Sequence, residues 1–99
     1  MESNRIIRVS AQNHAGYYVN QVRKDLKDTE TVELHGIGSS TIISVNAALR
    51  LTDLKYAVMT KFNTVSFEEG GRKGVKVIIC LQKGPEFDRV NEEFEKTLK

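Results

Sequence analysis

The chain has little of what usually announces a chemical activity. It carries a single cysteine, Cys80, so no internal disulfide can form. Cys80 lies in the apolar run Val77-Ile78-Ile79-Cys80-Leu81, which predicts a buried structural thiol rather than a nucleophile. The only histidines are His14 and His35, and without a paired ligand spacing they make no metal site. No Ser-His-Asp or Cys-His arrangement is suggested, so neither an enzyme nor a cofactor is expected. No apolar run approaches the ~20 residues that span a bilayer, which argues against a membrane partner. The polar start, Met1-Glu2-Ser3-Asn4-Arg5, has no signal-peptide core and predicts an intracellular protein of cytoplasm or nucleus. Internal repeats, low-complexity tracts and interdomain linkers are missing too.

What is present is ordinary in bulk. A composition of 39% hydrophobic and 28% charged residues is neither that of a disordered chain nor that of a membrane protein. Ninety-nine residues suit one domain with one core. The net charge of +2 is small, but it is unevenly spread. Residues 1–54 hold six Lys/Arg and six Asp/Glu, residues 55–85 six against two, and residues 86–99 three against five. The positive excess therefore belongs to the middle segment, where a local patch can act.

Periodicity orders the chain as β-α-β-α-β-β. Arg5 to Ser10 reads as a strand, and residues 15–27 as a helix with Tyr18, Val19, Val22 and Leu26 on its apolar side. Thr31 to Ile37 is a second strand. A helix from about Ser39 to Thr52 follows, with Ile42, Val45, Ala48 and Leu49 as its buried stripe. Tyr56 to Phe67 and Val75 to Lys83 are strands around a flexible tip, Glu68 to Gly74, and Gly84-Pro85 ends the pairing. Phe87, Val90, Phe94 and Leu98 then give a short amphipathic helical tail. The expectation is an α/β fold, an α+β two-layer sandwich with two helices on one face of a four-stranded mixed sheet. Residues 1–85 would be the domain and 86–99 the tail, packed either on the domain or on a partner.

The strand-to-helix junction Gly36-Ile37-Gly38-Ser39-Ser40 is a potential seat for phosphate. Its glycines permit a tight turn, its serines could cap, and the helix start offers N–H groups and a positive dipole end. An architectural crossover would look the same. Arg72 and Lys73, with Lys76 beyond them, could be a solvated hairpin tip or a nucleic-acid contact. Tyr17, off the apolar stripe, could stack on a base, whereas Tyr18 belongs to the core. His35 reads as a satisfied structural histidine, and Lys24 and Lys27 as a solvated helix face.

Asn4-Arg5-Ile6, Tyr17-Tyr18-Val19-Asn20, Val32-Glu33-Leu34, Gly38 and the glycine-flanked basic hairpin resemble the Alba family. These are small archaeal chromatin proteins and their eukaryotic relatives, among them RNA-binding forms and two ribonuclease P subunits. The resemblance spans about Asn4 to Lys83. It implies the same β-α-β-α-β-β fold, a dimer, and non-catalytic binding of DNA or RNA. Adjacent lysines common in the family's first loop fall here on Gln12 and Asn13, and its turn arginines on Ile37 and Ser39. Gly38 matches, and Arg72, Lys73 and Lys76 keep the basic hairpin. The expected interface is therefore Arg72, Lys73, Lys76, Gln12, Asn13, Gly38, Ser39 and Tyr17, nearer the eukaryotic RNA-binding members and favouring RNA over duplex DNA. The partner would be a second copy or a related subunit. The alternatives are a ribonuclease P-type scaffold subunit, or a protein-interaction module that uses the uncovered sheet face and binds no nucleic acid.

Overall fold

The computed structural model describes residues 4–97. Its elements are β1 (Asn4–Val9), α1 (Ala15–Asp25), β2 (Thr31–Ile37), α2 (Ser40–Asp53), β3 (Ala57–Glu69), β4 (Arg72–Lys83) and α3 (Phe87–Thr97). The first three residues of the polar start and Leu98, the last apolar position of the tail, lie outside the described residues. The strands form one sheet in the order β1-β2-β4-β3, with β1 parallel to β2 and the other pairs antiparallel. This is the mixed sheet that the element order predicts.

One side of the sheet is apolar and covered. Ile7, Leu34 and Ile79 are neighbours in one row across three strands, and all three are buried under the helices. α1 contributes Tyr18 and Val22, with Leu26 just beyond its end, as its spacing predicts. α2 presents a different stripe from the expected one. Ser40, Ser44, Ala47, Ala48 and Leu51 are buried, while Ile42 and Leu49 are 67% and 49% exposed. The reason lies in β2. Gly36 lets α2 approach so closely that an added Cβ there would collide with Ser44 Oγ and stand 2.7 Å from the Ser40 carbonyl oxygen. Only small side chains fit under a helix at that distance. Ile42 and Leu49 turn outward.

The faces of β3 also depart from simple alternation. Thr60 is a β-bulge between Met59, opposite Leu81, and Lys61, opposite Cys80. Ala57 and Met59 point to the helices before it, Phe62 and Thr64 after it. Cys80 is likewise not a core residue. It is half-buried on the open side, while Val77, Ile79 and Leu81 hold the core. Burial, and secondarily the Glu33 charge, pushes its thiol pKa up.

α3 packs on the domain itself. Phe87 is buried edge-on to Tyr56 at 6.0 Å between ring centroids. The buried Arg23 guanidinium donates to Asn91 Oδ1 at 2.8 Å and lies 4.2 Å from the Phe94 ring centre. Lys27 bridges to Glu95 at 2.6 Å, so it is not the free solvated lysine expected.

Candidate nucleic-acid interface

Strand direction decides which segments meet. β1 and β2 run parallel, so the loop after Val9 and the turn after Ile37 emerge at the same end of the sheet. β4 runs the other way, and its Lys76 stands opposite Ile37. Four further β3–β4 pairs, Ser66–Val75 to Glu69–Arg72, extend beyond that row. At ~3.3 Å per residue, the arm projects roughly 13 Å past the glycine turn. Gln12, Asn13, Tyr17, Gly38, Ser39, Arg72 and Lys73 thus share one end of the molecule, with Lys76 at the root of the arm.

The tip is not the flexible loop expected. Gly70 and Gly71 both have positive φ, 57° and 79°, and close a two-residue turn matched to strand twist. Arg72 and Lys73 therefore belong to β4, directly opposite Glu69 and Glu68. Each thus has a carboxylate in its own cross-strand row. Lys76 stands instead between Ile37 and Val65, with no carboxylate in its row. Two of the six cations of the middle segment, Lys55 and Lys83, fall at the opposite end of the sheet.

The glycine turn works differently from a serine-capped helix start. Ser39 makes no side-chain cap bond, and its hydroxyl is left exposed beside Gly38. The Ser40 hydroxyl closes the turn, accepting from the Ile37 N–H at 2.8 Å and donating to the Ile37 carbonyl at 2.7 Å. Gly38 has φ 61° and open space where a Cβ would stand, so a ligand backbone can come close.

In the first loop, the Asn13 amide donates to Tyr18 Oη at 3.2 Å, and that hydroxyl also accepts from the Ser10 N–H at 2.7 Å. Asn13 therefore shapes the loop, whereas the Gln12 side chain is exposed. His14 caps α1, its Nδ1 accepting from the Tyr17 N–H at 3.3 Å. Tyr17 is half-exposed and edge-on to Tyr18.

On the open face, His35 Nε2 and Asn4 Nδ2 each lie 2.9 Å from a Glu33 carboxylate oxygen. These bonds, that from His35 foremost, hold the Glu33 pKa below its ordinary value. His35 is thus a satisfied structural histidine. Arg8 and Lys61 are exposed on the same face and were not singled out by the sequence. The signal was the two-residue period, which sets Arg8 beside Ile6 and away from Ile7.

No protein-family model and no curated protein matches the chain. Solved structures do. ALBA1 from Trypanosoma brucei superposes with a TM-score of 0.85 at 24% identity, over 93% of this chain and 80% of that one. The fold is the Alba fold. Alba from Thermoplasma volcanium superposes with a TM-score of 0.68 at 17% identity, over 79% of this chain and 99% of that one. This Alba fold follows the trypanosomal protein more fully than the archaeal one. That agrees with the nearness to eukaryotic members implied by the resemblance.

Proposed function

We propose that this protein binds nucleic acid without catalysis, favouring RNA over duplex DNA and working as a dimer. The observation that carries the reading is the meeting of the first loop, the glycine turn and the hairpin arm at one end of the sheet. Together they can clasp a sugar-phosphate backbone. Arg72, Lys73 and Lys76 supply charge. Gln12, Ser39 and the open backbone at Gly38 supply orientation, and Tyr17 a stacking surface. Neutral residues at the loop and turn favour contact led by shape over dense neutralisation of duplex phosphates. An intracellular setting fits this role.

The dimer reading rests on a second surface. Ile42 and Val45 of α2, with Phe62 and Val75 of the hairpin, line an apolar cleft of about 450 Å³. A second copy would bury it. Ile42→Glu should leave the monomer fold intact and halve the mass measured by light scattering. A wild-type protein that is monomeric alone would favour the scaffold reading, with a related subunit as partner.

The main test is Arg72→Ala with Lys73→Ala, titrated with single-stranded RNA, duplex RNA and duplex DNA at two salt concentrations. Affinity should fall for every ligand, and the salt slope should shrink by about 0.7 per lost single-strand phosphate contact. An unchanged slope removes the hairpin from the interface. No salt-sensitive binding by the wild type removes the reading itself.

A further inference from the structure

We infer that the open face of the sheet is a contact surface for single-stranded RNA, continuing the track from the hairpin to β1. This rests on the nucleic-acid reading above and extends it beyond the loop end. Lys76 and Arg72, two of the hairpin cations, point away from the helices and onto this face, in register with Ile37 and Glu69. Arg8 lies two strands away beside His35, about 10 Å across at ~4.8 Å per strand. Lys61 lies opposite Cys80 on the far side. A backbone leaving Lys76 can therefore meet a further cation in either direction.

Charge favours an anionic occupant. Arg8, Lys61, Arg72 and Lys76 share the face with only Glu33 and Glu69, and none of the four forms an ion pair among the described residues. Glu33 is already committed to His35 and Asn4. Between the cations stand Ile6, Ile37 and Val65, 55%, 50% and 45% exposed. Such a surface suits unstacked bases, whose flat faces are apolar and whose phosphates lie at the edges. A duplex keeps its bases stacked inside and cannot lay them on the apolar residues of this face.

Cys80 sits in the middle of this face as a built-in reporter, since it is the chain's only cysteine. The experiment follows alkylation of the full-length protein by N-ethylmaleimide with no ligand, with an oligouridylate, and with duplex DNA. Binding is verified in parallel by fluorescence anisotropy. Saturating oligouridylate should slow Cys80 alkylation severalfold, and duplex DNA should leave the rate unchanged. Arg8→Gln with Lys61→Gln should lower the salt slope for oligouridylate by about 1.4, at ~0.7 per contact, and leave the duplex slope as it was. Oligouridylate binding with Cys80 reacting at its free rate overturns the inference and leaves the hairpin-end reading intact. Protection that appears without RNA and rises with protein concentration also overturns it, because a second copy then covers the face. Absence of all nucleic-acid binding fails the underlying reading instead, and is seen in the anisotropy before any alkylation is compared.

Discussion

The two sides of the sheet are built from the same branched aliphatic residues and hold together by different means. On the covered side Leu34, Ile79 and Leu81 are 0% exposed. On the open side Ile6 and Ile37 are half in solvent, among Arg8, Lys61 and Lys76. The difference is one of neighbours, since α1, α2 and α3 all pack on one side. Volume governs that side, so its substitutions cost stability. Charge and polar pairing govern the other, so its substitutions should cost recognition.

Leu34→Ala tests this division most severely. The site is sealed by β1, β4 and the helices, so the deletion should cost about 3 kcal/mol in urea denaturation, transfer and cavity terms together. Ile6→Ala, one strand over on the open side, should cost less than about 1 kcal/mol. Equal losses would mean that the open face is buried in solution. Gly36→Val follows, at about 2–3 kcal/mol, because Ser40 is met through its backbone and cannot move aside cheaply. A neutral result there would show that α2 does not sit so near the sheet. Next is Arg23→Ala, which strands the Asn91 carbonyl under α3 and should cost about 2 kcal/mol. If stability were unaffected, α3 would be a detachable tail and the covered side smaller than described.

How much of this was legible in the sequence follows from where each cause resides. The element order was legible, because strand and helix periods are local properties of Ile6, Val32, Val22 or Ile79. The phase of α2 was not. Ile42 and Leu49 have the composition of core residues, and what turns them outward is a missing side chain at Gly36, in another element. The faces of β3 were hidden by Thr60, since one extra residue reverses every later side chain. The hairpin tip looked loose because glycine runs signal flexibility as readily as tight turns. Only paired positive φ values at Gly70 and Gly71 show that Arg72 and Lys73 are strand residues facing carboxylates. At the site, Gly38 and Ser39 stood out through local turn chemistry. Arg8 and Lys61 did not, because a single cation in a strand gains meaning only once strand order sets it near Lys76.

The smallest expected effect concerns the open face alone, and it has a defined pH signature. Glu33 is held as a carboxylate by His35 and Asn4, so its pKa in the folded protein lies below the ordinary 4.5. A lowered carboxylate pKa stabilises the fold above the unfolded-state value, and that stabilisation is lost as pH falls through the folded one. Glu33→Gln removes the titrating group. Wild type should therefore exceed the variant by a constant amount, below about 1 kcal/mol for a partly exposed pair, at pH above roughly 5. The gap should close as pH drops below 4.5. A gap that stayed constant through the acid range would mean that packing around Glu33, rather than its charge, sets its contribution. The open face would then be held by volume after all, as the covered one is.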